Sequence, residues 1–194
     1  MKSFKKLEEE LAASQKVTDE VLYDGKWVQL KLLDGWYEYL HNKGDGVLVL
    51  AVDKLQGRFL CRYENCPVHG DPHSLDPTSL TGTVEEGDTP VETSVKEMLE
   101  ESGYVIKEEE LKYQGIAYSS KASDNILHLF YIEMNGEADD DIHEGEGDGS
   151  KGENGSYCRW LPIDQIANLT SPSVALTAVR AGIFIQQSSP DRAY

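Results

Sequence analysis

The sequence predicts an α/β domain built around a mixed β-sheet. Strand-like apolar runs recur along the chain, and two segments with an apolar period near 3.6 residues are interleaved with them. That order favours a sheet covered by helices. A chain of 194 residues can bury one substantial core, so a second independent domain is not expected.

The composition is strongly acidic and narrows the range of partners. The chain has 35 acidic and 18 basic residues, a formal net charge of -17 and a pI near 4.6. Such a surface repels nucleic acid, and an anionic substrate requires a bridging cation. Three cysteines, the lack of a long apolar stretch and a polar N-terminus predict a cytoplasmic, reduced protein with no membrane partner.

Three regions are expected along the chain. Residues 1–16 are polar and predict an arm or a short helix. Residues 17–45 contain two strand-like runs separated by Asp34-Gly35, a dipeptide that favours hairpin turns. They predict an antiparallel pair that forms an N-terminal β arm. Residues 46–190 hold the main domain.

The main domain begins with a strand pair and a long loop. The apolar run "GVLVLAVD", from Gly46 to Asp53, predicts a buried central strand. A turn at Gln56-Gly57 leads to a second strand, "RFLCRY". The next segment, from Glu64 to Ser79, has three prolines and no periodicity, so it is expected to be a loop, and long loops are often functional.

A helix is predicted from Pro90 to Ser102. Proline near its first turn and Gly103 at its end are the usual punctuation of a helix. Its apolar residues recur at helical spacing, so one face is expected to pack on the sheet; they are Val91, Val95, Met98 and Leu99.

The remainder of the chain predicts three strands and a final helix. The strand-like runs are "YQGIAYSS", "ILHLFYIEM" and "YCRWLPI". An acidic, glycine-rich segment from Asn135 to Gly155 precedes the last of them. The final helix is expected to begin near Ser171 or Ser173 and to continue to Gln187.

Three carboxylates fall on one face of the first helix. Glu97, Glu100 and Glu101 stand at i, i+3 and i+4, where like charges destabilise a helix by about 0.2–0.5 kcal/mol per pair. Oxygen ligands from one helical turn suit a hard cation such as Mg²⁺ or Mn²⁺, which would relieve the repulsion. On spacing alone, a solvated acidic surface explains the pattern equally well.

The segment from Gly82 to Tyr104 resembles the Nudix box. That pattern is G-x5-E-x7-R-E-U-x-E-E-x-G-U, where U is an apolar residue. Two positions depart from it, because Asp88 stands in place of Glu and Lys96 in place of Arg. The matching residues are Gly82, Glu97, Met98, Glu100, Glu101, Gly103 and, as a looser match, Tyr104.

The resemblance implies a Nudix-type αβα sandwich that hydrolyses a nucleoside diphosphate linked to another moiety. Glu97 and Glu101 would be the chief ligands of Mg²⁺ or Mn²⁺, and Glu100 a further ligand or a carboxylate that orients water. The backbone carbonyl near Gly82 would add another ligand. The metal would lower the pKa of a bound water, and a carboxylate would complete its deprotonation.

Asp88 and Lys96 would be the supporting pair that fixes the helix and the preceding loop. Arginine holds a carboxylate through a planar fork, whereas lysine acts as a point charge. The two departures therefore leave a reduced or altered activity open. They also leave open a nucleotide sensor that has lost turnover.

The flanks resemble the ADP-ribose pyrophosphatase branch of that family. "YSSKASDNILHLFYIE" and "SPSVALTAVRAG" are similar to two of its short motifs, and Tyr23 or Trp27 could be the aromatic of its N-terminal arm. This resemblance implies ADP-ribose or a related nucleotide sugar as substrate and a homodimer formed through the N-terminal strands. NADH, FAD and dinucleoside polyphosphates remain alternative substrates.

Several residues are candidates for substrate binding and proton transfer. Trp27 or Trp36 could stack on adenine, although aromatic residues on strands are more often core residues. Arg62 could pair with a phosphate or be an ordinary surface charge. In the branch it resembles, the general base is often a Glu in the loop before the last strand, and here Glu146 or Glu153 is favoured.

A competing metal site lies before the box. Cys61, Cys66, His69 and His73 have a C-x4-C-x2-H-x3-H spacing that is within reach of zinc. The simpler interpretation is that Cys61 is a small buried residue of a strand. The zinc interpretation makes the protein a zinc-binding protein whose acidic helix is only surface.

Overall fold

The computed structural model describes residues 18–66, 74–145 and 155–183. The chain divides into two compact units. The N-terminal unit comprises the chain up to Lys43 together with Ser120–Asn125, and the main unit comprises Gly44–Ser119 and the chain from Ile126 onward.

The N-terminal unit contains a three-stranded antiparallel sheet rather than the expected pair. Its strands are β1 (Asp19–Asp24), β2 (Val28–Leu33) and β3 (Tyr37–Asn42), in that order. The prediction missed the turn between β1 and β2, where Gly25 N–H donates to the Val28 carbonyl at 2.9 Å. The predicted turn at Asp34-Gly35 is present, with φ values of 51° and 73°.

A short segment from later in the chain completes this unit. Leu40 N–H donates to the Ala122 carbonyl at 2.8 Å, and Asp124 N–H donates to the Leu40 carbonyl at 3.1 Å. The carboxylate of Asp124 lies 2.6 Å from Nδ1 of His41. Residues 120–125 therefore dock on the edge of β3.

The main unit is built on a mixed sheet, as the sequence predicted, and this sheet has eight strands. Its path runs β10-β11-β5-β4-β9-β8, with β6 paired to β5 and β7 paired to β4. The β4–β9 pair is parallel and the other pairs are antiparallel. The strands are β4 (Gly46–Asp53), β5 (Arg58–Asn65), β6 (Leu75–Thr78), β7 (Leu80–Thr83), β8 (Lys112–Tyr118), β9 (Ile126–Glu133), β10 (Ile142–His143) and β11 (Tyr157–Pro162).

Two segments in which no strand was predicted contain strands. The predicted loop from Glu64 to Ser79 includes β6, which pairs with β5 although it contains Pro77. Proline is tolerated there because, among the described strands, β6 pairs with β5 alone and so lies at an edge. The acidic segment likewise contains β10, which pairs with β11.

The first helix, α1 (Pro90–Ser102), has the predicted boundaries. Thr89 caps its N-terminus through a reciprocal capping box with Glu92. Gly103 ends it in the left-handed conformation, with φ 75°, and its N–H donates to the Leu99 carbonyl at 2.8 Å.

The second helix, α2 (Pro172–Arg180), is shorter than expected. Its end is marked by Gly182, with φ 72°, and by a hydrogen bond of 2.9 Å from Ile183 N–H to the Ala178 carbonyl. The predicted continuation to Gln187 falls partly outside the described residues. Within those residues, no helix is long and apolar enough to span a bilayer.

The core lies on both faces of the sheet. Alternate residues of β4 point to opposite sides, so Val47 and Val49 pack with Met98 of α1, while Leu48 and Leu50 join the cluster that includes α2. One helix therefore covers each face, which is the αβα sandwich that the sequence predicted.

Candidate active site

The C-terminal half of α1 carries the three predicted carboxylates. Glu97 is half-buried, Glu100 is exposed and Glu101 is only 5% exposed. Hydrophobic packing holds this turn against the sheet, because Met98 between them is completely buried. A buried carboxylate is costly unless it is paired, so the surroundings of Glu101 decide what the site can do.

Glu101 is paired with a buried arginine from the sheet. Arg62, on β5, is 3% exposed, and its Nε lies 3.0 Å from Oε1 of Glu101 and 3.1 Å from Oε2 of Glu64. Burial raises the pKa of the Glu101 carboxyl well above its usual value, Arg62 opposes that rise, and Glu97 adds to it. One guanidinium thus serves two carboxylates, and the interpretation of Arg62 as a surface charge is wrong.

Strand β7 forms the wall beside these carboxylates. Thr81 N–H donates to Oε2 of Glu101 at 3.2 Å. A Cβ at Gly82 would overlap the side chain of Glu97. Only glycine lets the strand and this carboxylate approach so closely.

The two residues that depart from the box contact each other. Lys96 Nζ lies 2.5 Å from Oδ2 of Asp88. The hydrogen bond to Asp88 raises the pKa of Lys96. This ion pair connects α1 to the turn that precedes its cap, which is the position the sequence assigned to a supporting pair.

Sequence reasoning missed three residues of this site. Glu64 stands two residues after Arg62 on β5, a spacing that places both on one face of a strand and could have suggested their pairing. Thr81 contributes through its backbone, and no sequence signal marks that. Cys158, on β11, lies 3.4 Å from the Glu101 carbonyl, and burial raises the pKa of its thiol to about 12.

The N-terminal aromatic residues are not core residues. The exposed fractions of Tyr23, Trp27 and Trp36 are 63%, 64% and 75%. The interpretation of Trp27 and Trp36 as core side chains is therefore wrong for this chain. A role for Tyr23 or Trp27 in substrate binding stays a prediction.

One of the four proposed zinc ligands, Cys61, is a core residue. Cys61 is completely buried on β5, packs with the cluster on the α2 side of the sheet, and lies 3.3 Å from the Thr78 carbonyl. Burial raises the pKa of the Cys61 thiol to about 12, which disfavours the thiolate that zinc binds. Cys66 is only partly buried, and His69 and His73 lie outside the described residues.

The segment that leads to the predicted base approaches the helix end. Gly145 packs against the backbone of Glu100 and Glu101. The two candidate bases, Glu146 and Glu153, lie outside the described residues, so their assignment stays a prediction.

The donor set fits a divalent cation of the magnesium type. In residues 18–66, 74–145 and 155–183, no three side chains of His, Cys, Asp or Glu are gathered into a preformed cage. Mg²⁺ does not need one, since it keeps several waters and binds through one or two carboxylates and substrate phosphates. Burial and, to a smaller extent, Glu97 raise the pKa of Glu101, so a cation bound beside these two carboxylates would be stabilising.

The comparisons with known proteins agree with this geometry. The NUDIX domain family model matches residues 42–179, so the chain belongs to the Nudix family. Members of this family are hydrolases that generally require divalent metal ions.

A solved structure described as an ADP compounds hydrolase has the same fold, with a TM-score of 0.60 and 15% sequence identity. The match covers 87% of this chain and 95% of that one. No curated protein matches the chain.

Proposed function

We propose that this chain is a Mg²⁺- or Mn²⁺-dependent pyrophosphohydrolase. Its substrate is ADP-ribose or a related nucleoside diphosphate derivative, and its products are a nucleoside monophosphate and a phosphorylated remainder. The observation that carries the proposal is the buried Glu101 carboxylate on the acidic face of α1, which pairs with the buried Arg62 guanidinium and whose pKa is raised by burial and by the neighbouring Glu97.

The acidic residues explain why a cation is required. A polyanionic diphosphate is repelled by a chain with net charge -17. Glu97 and Glu101 would hold the cation, with Glu100 and a β7 carbonyl near Gly82 as additional donors. When bound, the cation neutralises the diphosphate and lowers the pKa of a coordinated water.

The protein's own groups position these donors. Arg62 holds Glu101 in one orientation, and Thr81 N–H fixes the second oxygen of the same carboxylate. The ion pair between Lys96 and Asp88 ties α1 to its preceding turn. A general base completes the set, and we assign it to Glu146 or Glu153.

The substrate class is supported by resemblance as well as by charge. The flanking motifs are similar to those of ADP-ribose pyrophosphatases, and the solved structure with this fold is described as hydrolysing ADP compounds. NADH, FAD and dinucleoside polyphosphates are the alternatives within the family. Tyr23 and Trp27 are the proposed contacts of the substrate's adenine ring. Trp27→Ala should therefore raise KM without changing kcat.

The deciding experiment measures phosphate release with added phosphatase. The panel is ADP-ribose, NADH, FAD, diadenosine polyphosphates and nucleoside triphosphates, each with Mg²⁺, Mn²⁺ or EDTA. Cleavage of ADP-ribose well above the others, abolished by EDTA, is expected. Absence of cleavage with nucleotide binding still detectable would replace the enzyme by a nucleotide sensor.

Two sets of variants test the residue assignments. Glu101→Gln should abolish turnover, because the neutral amide is a much poorer ligand for a hard cation. Retained turnover in that variant would remove the metal assignment. Glu146→Gln and Glu153→Gln should differ, with one large loss of kcat; two active variants would show that neither residue is the base.

A further inference from the structure

Residues 137–145, which we call the docking segment, pack against the last turn of α1. Its closest contact is made by Gly145. A Cβ added there would overlap the Glu100 carbonyl oxygen and lie 2.7 Å from the carbonyl carbon of Glu101. Gly145 does not have a positive φ, so its lack of a side chain serves this close approach rather than the backbone conformation.

A polar cluster fixes the same segment independently. The Tyr104 hydroxyl accepts a hydrogen bond from Nε1 of Trp160 at 3.0 Å and donates one to the Glu137 carbonyl at 3.3 Å. The ring of His143 lies over Tyr104 with centroids 5.0 Å apart, and its Nε2 lies 2.9 Å from Oδ1 of Asp139. The docking segment is therefore attached to the residues that follow α1 as well as to α1 itself.

The contact falls on the backbone of two proposed ligand residues. The carbonyl of Glu100 faces Gly145, and the carbonyl of Glu101 lies 3.4 Å from Sγ of Cys158 on β11. The last turn is thus confined between the docking segment and the sheet. Any side chain at position 145 must displace either the segment or the turn, because backbone atoms cannot rotate away as a side chain can.

We propose that Gly145 is a positioning residue that sets the location of the Glu100 and Glu101 carboxylates and thereby the affinity of the site for its cation. The proposal rests on the proposed function, because it assumes that these carboxylates bind a divalent ion. Groups that orient metal ligands from behind are typically worth about 10- to 100-fold in metal affinity or activity. Gly145 has this effect because the lack of a side chain lets the docking segment pack directly on the helix backbone.

The test compares Gly145→Ala with Gly136→Ala. Gly136 lies in the same acidic region, has φ 90° and would meet no atom within 4 Å on gaining a Cβ. The control therefore introduces backbone strain without a collision at the helix. Mn²⁺ binding followed by electron paramagnetic resonance reports the site without depending on turnover.

Gly145→Ala is expected to weaken Mn²⁺ binding by roughly 10-fold or more and to lower kcat with little change in KM. Gly136→Ala is expected to bind Mn²⁺ as the wild type does. Tyr104→Phe removes the hydroxyl that joins Trp160 to Glu137 and should weaken binding in the same direction, by about 10-fold, the lower end of the usual range. If Gly145→Ala does not fold, the Mn²⁺ affinity of Tyr104→Phe alone tests the positioning role.

Wild-type affinity in both Gly145→Ala and Tyr104→Phe would overturn the positioning role while leaving the proposed function intact. A wild-type protein that binds no Mn²⁺ and cleaves no substrate would instead overturn the proposed function, and the positioning role with it.

Discussion

Replacing Arg62 by methionine tests whether a bound divalent cation and this arginine neutralise the same carboxylates. Arg62→Met keeps a long, flexible side chain but removes the only positive charge that the described residues show within 4 Å of Glu101. Its partners are Glu101, 5% exposed, and Glu64, whose side chain is 27% exposed. Breaking a buried ion pair by removing one partner costs about 3–5 kcal/mol, and the partial exposure of Glu64 favours the lower end.

A loss of about 3 kcal/mol corresponds to a fall in Tm of roughly 6–12 °C, at about 2–4 °C per kcal/mol for a chain of this size. The fall should be measured by thermal unfolding in EDTA. Saturating Mg²⁺ should then recover much of it, because a divalent ion supplies the missing positive charge. A ligand at 100 times its Kd stabilises by about 2.7 kcal/mol, which is enough to be measured.

Arg58→Met is the matched control. Arg58 also lies on β5 and pairs with Asp140 at 2.8 Å, but the Asp140 side chain is 88% exposed. Its Nη1 also donates a hydrogen bond to the Asp139 carbonyl at 2.6 Å. The exposed pair contributes about 0–1 kcal/mol and the hydrogen bond about 0.5–1.5 kcal/mol, so this variant should lose less stability than Arg62→Met and show no recovery with Mg²⁺ beyond that of the wild type. If Arg62→Met lowers Tm by the same amount in EDTA and in Mg²⁺, the idea that the cation and Arg62 both neutralise Glu101 is refuted.

Three further predictions concern single positions. Gly82→Ala should lower kcat/KM by about 100-fold at a stability cost of about 1 kcal/mol, because the new methyl group turns Glu97 away; unchanged kinetics would contradict the close approach at β7. Asp53 is buried, which alone would raise its pKa, but hydrogen bonds from backbone N–H groups outweigh burial and hold its pKa below the usual value. Its charged form therefore stabilises the fold above about pH 4, and this contribution is lost as the pH falls further. Asp53→Asn should thus lower Tm more at neutral pH than at pH 3, and an equal loss at both would contradict the assignment. Lys96→Arg should retain turnover, whereas Lys96→Ala should lose it as Asp88 is released; equal turnover in kinetic assays would show that the pair is dispensable.

The local elements could be predicted from the sequence because their signals are local. The boundaries of α1 follow from Pro90 and Gly103, and the burial of β4 follows from its unbroken apolar run. The chain turn at Asp34-Gly35 follows from two residues that tolerate positive φ. The strand β6 was missed because pairing with β5 overrides a sequence that contains Pro77.

The amino-acid sequence by itself determined the fold class, the acidic helix face and the family to which the chain belongs. These depend on spacings of a few residues along one helix or strand, and such spacings can be read without knowing any partner. Only the tertiary structure decided that Arg62 is buried between Glu64 and Glu101, and that Gly145 lies against the helix end. The physical reason is that burial and ion pairing depend on which strands become neighbours, and distant segments meet only when the sheet has formed.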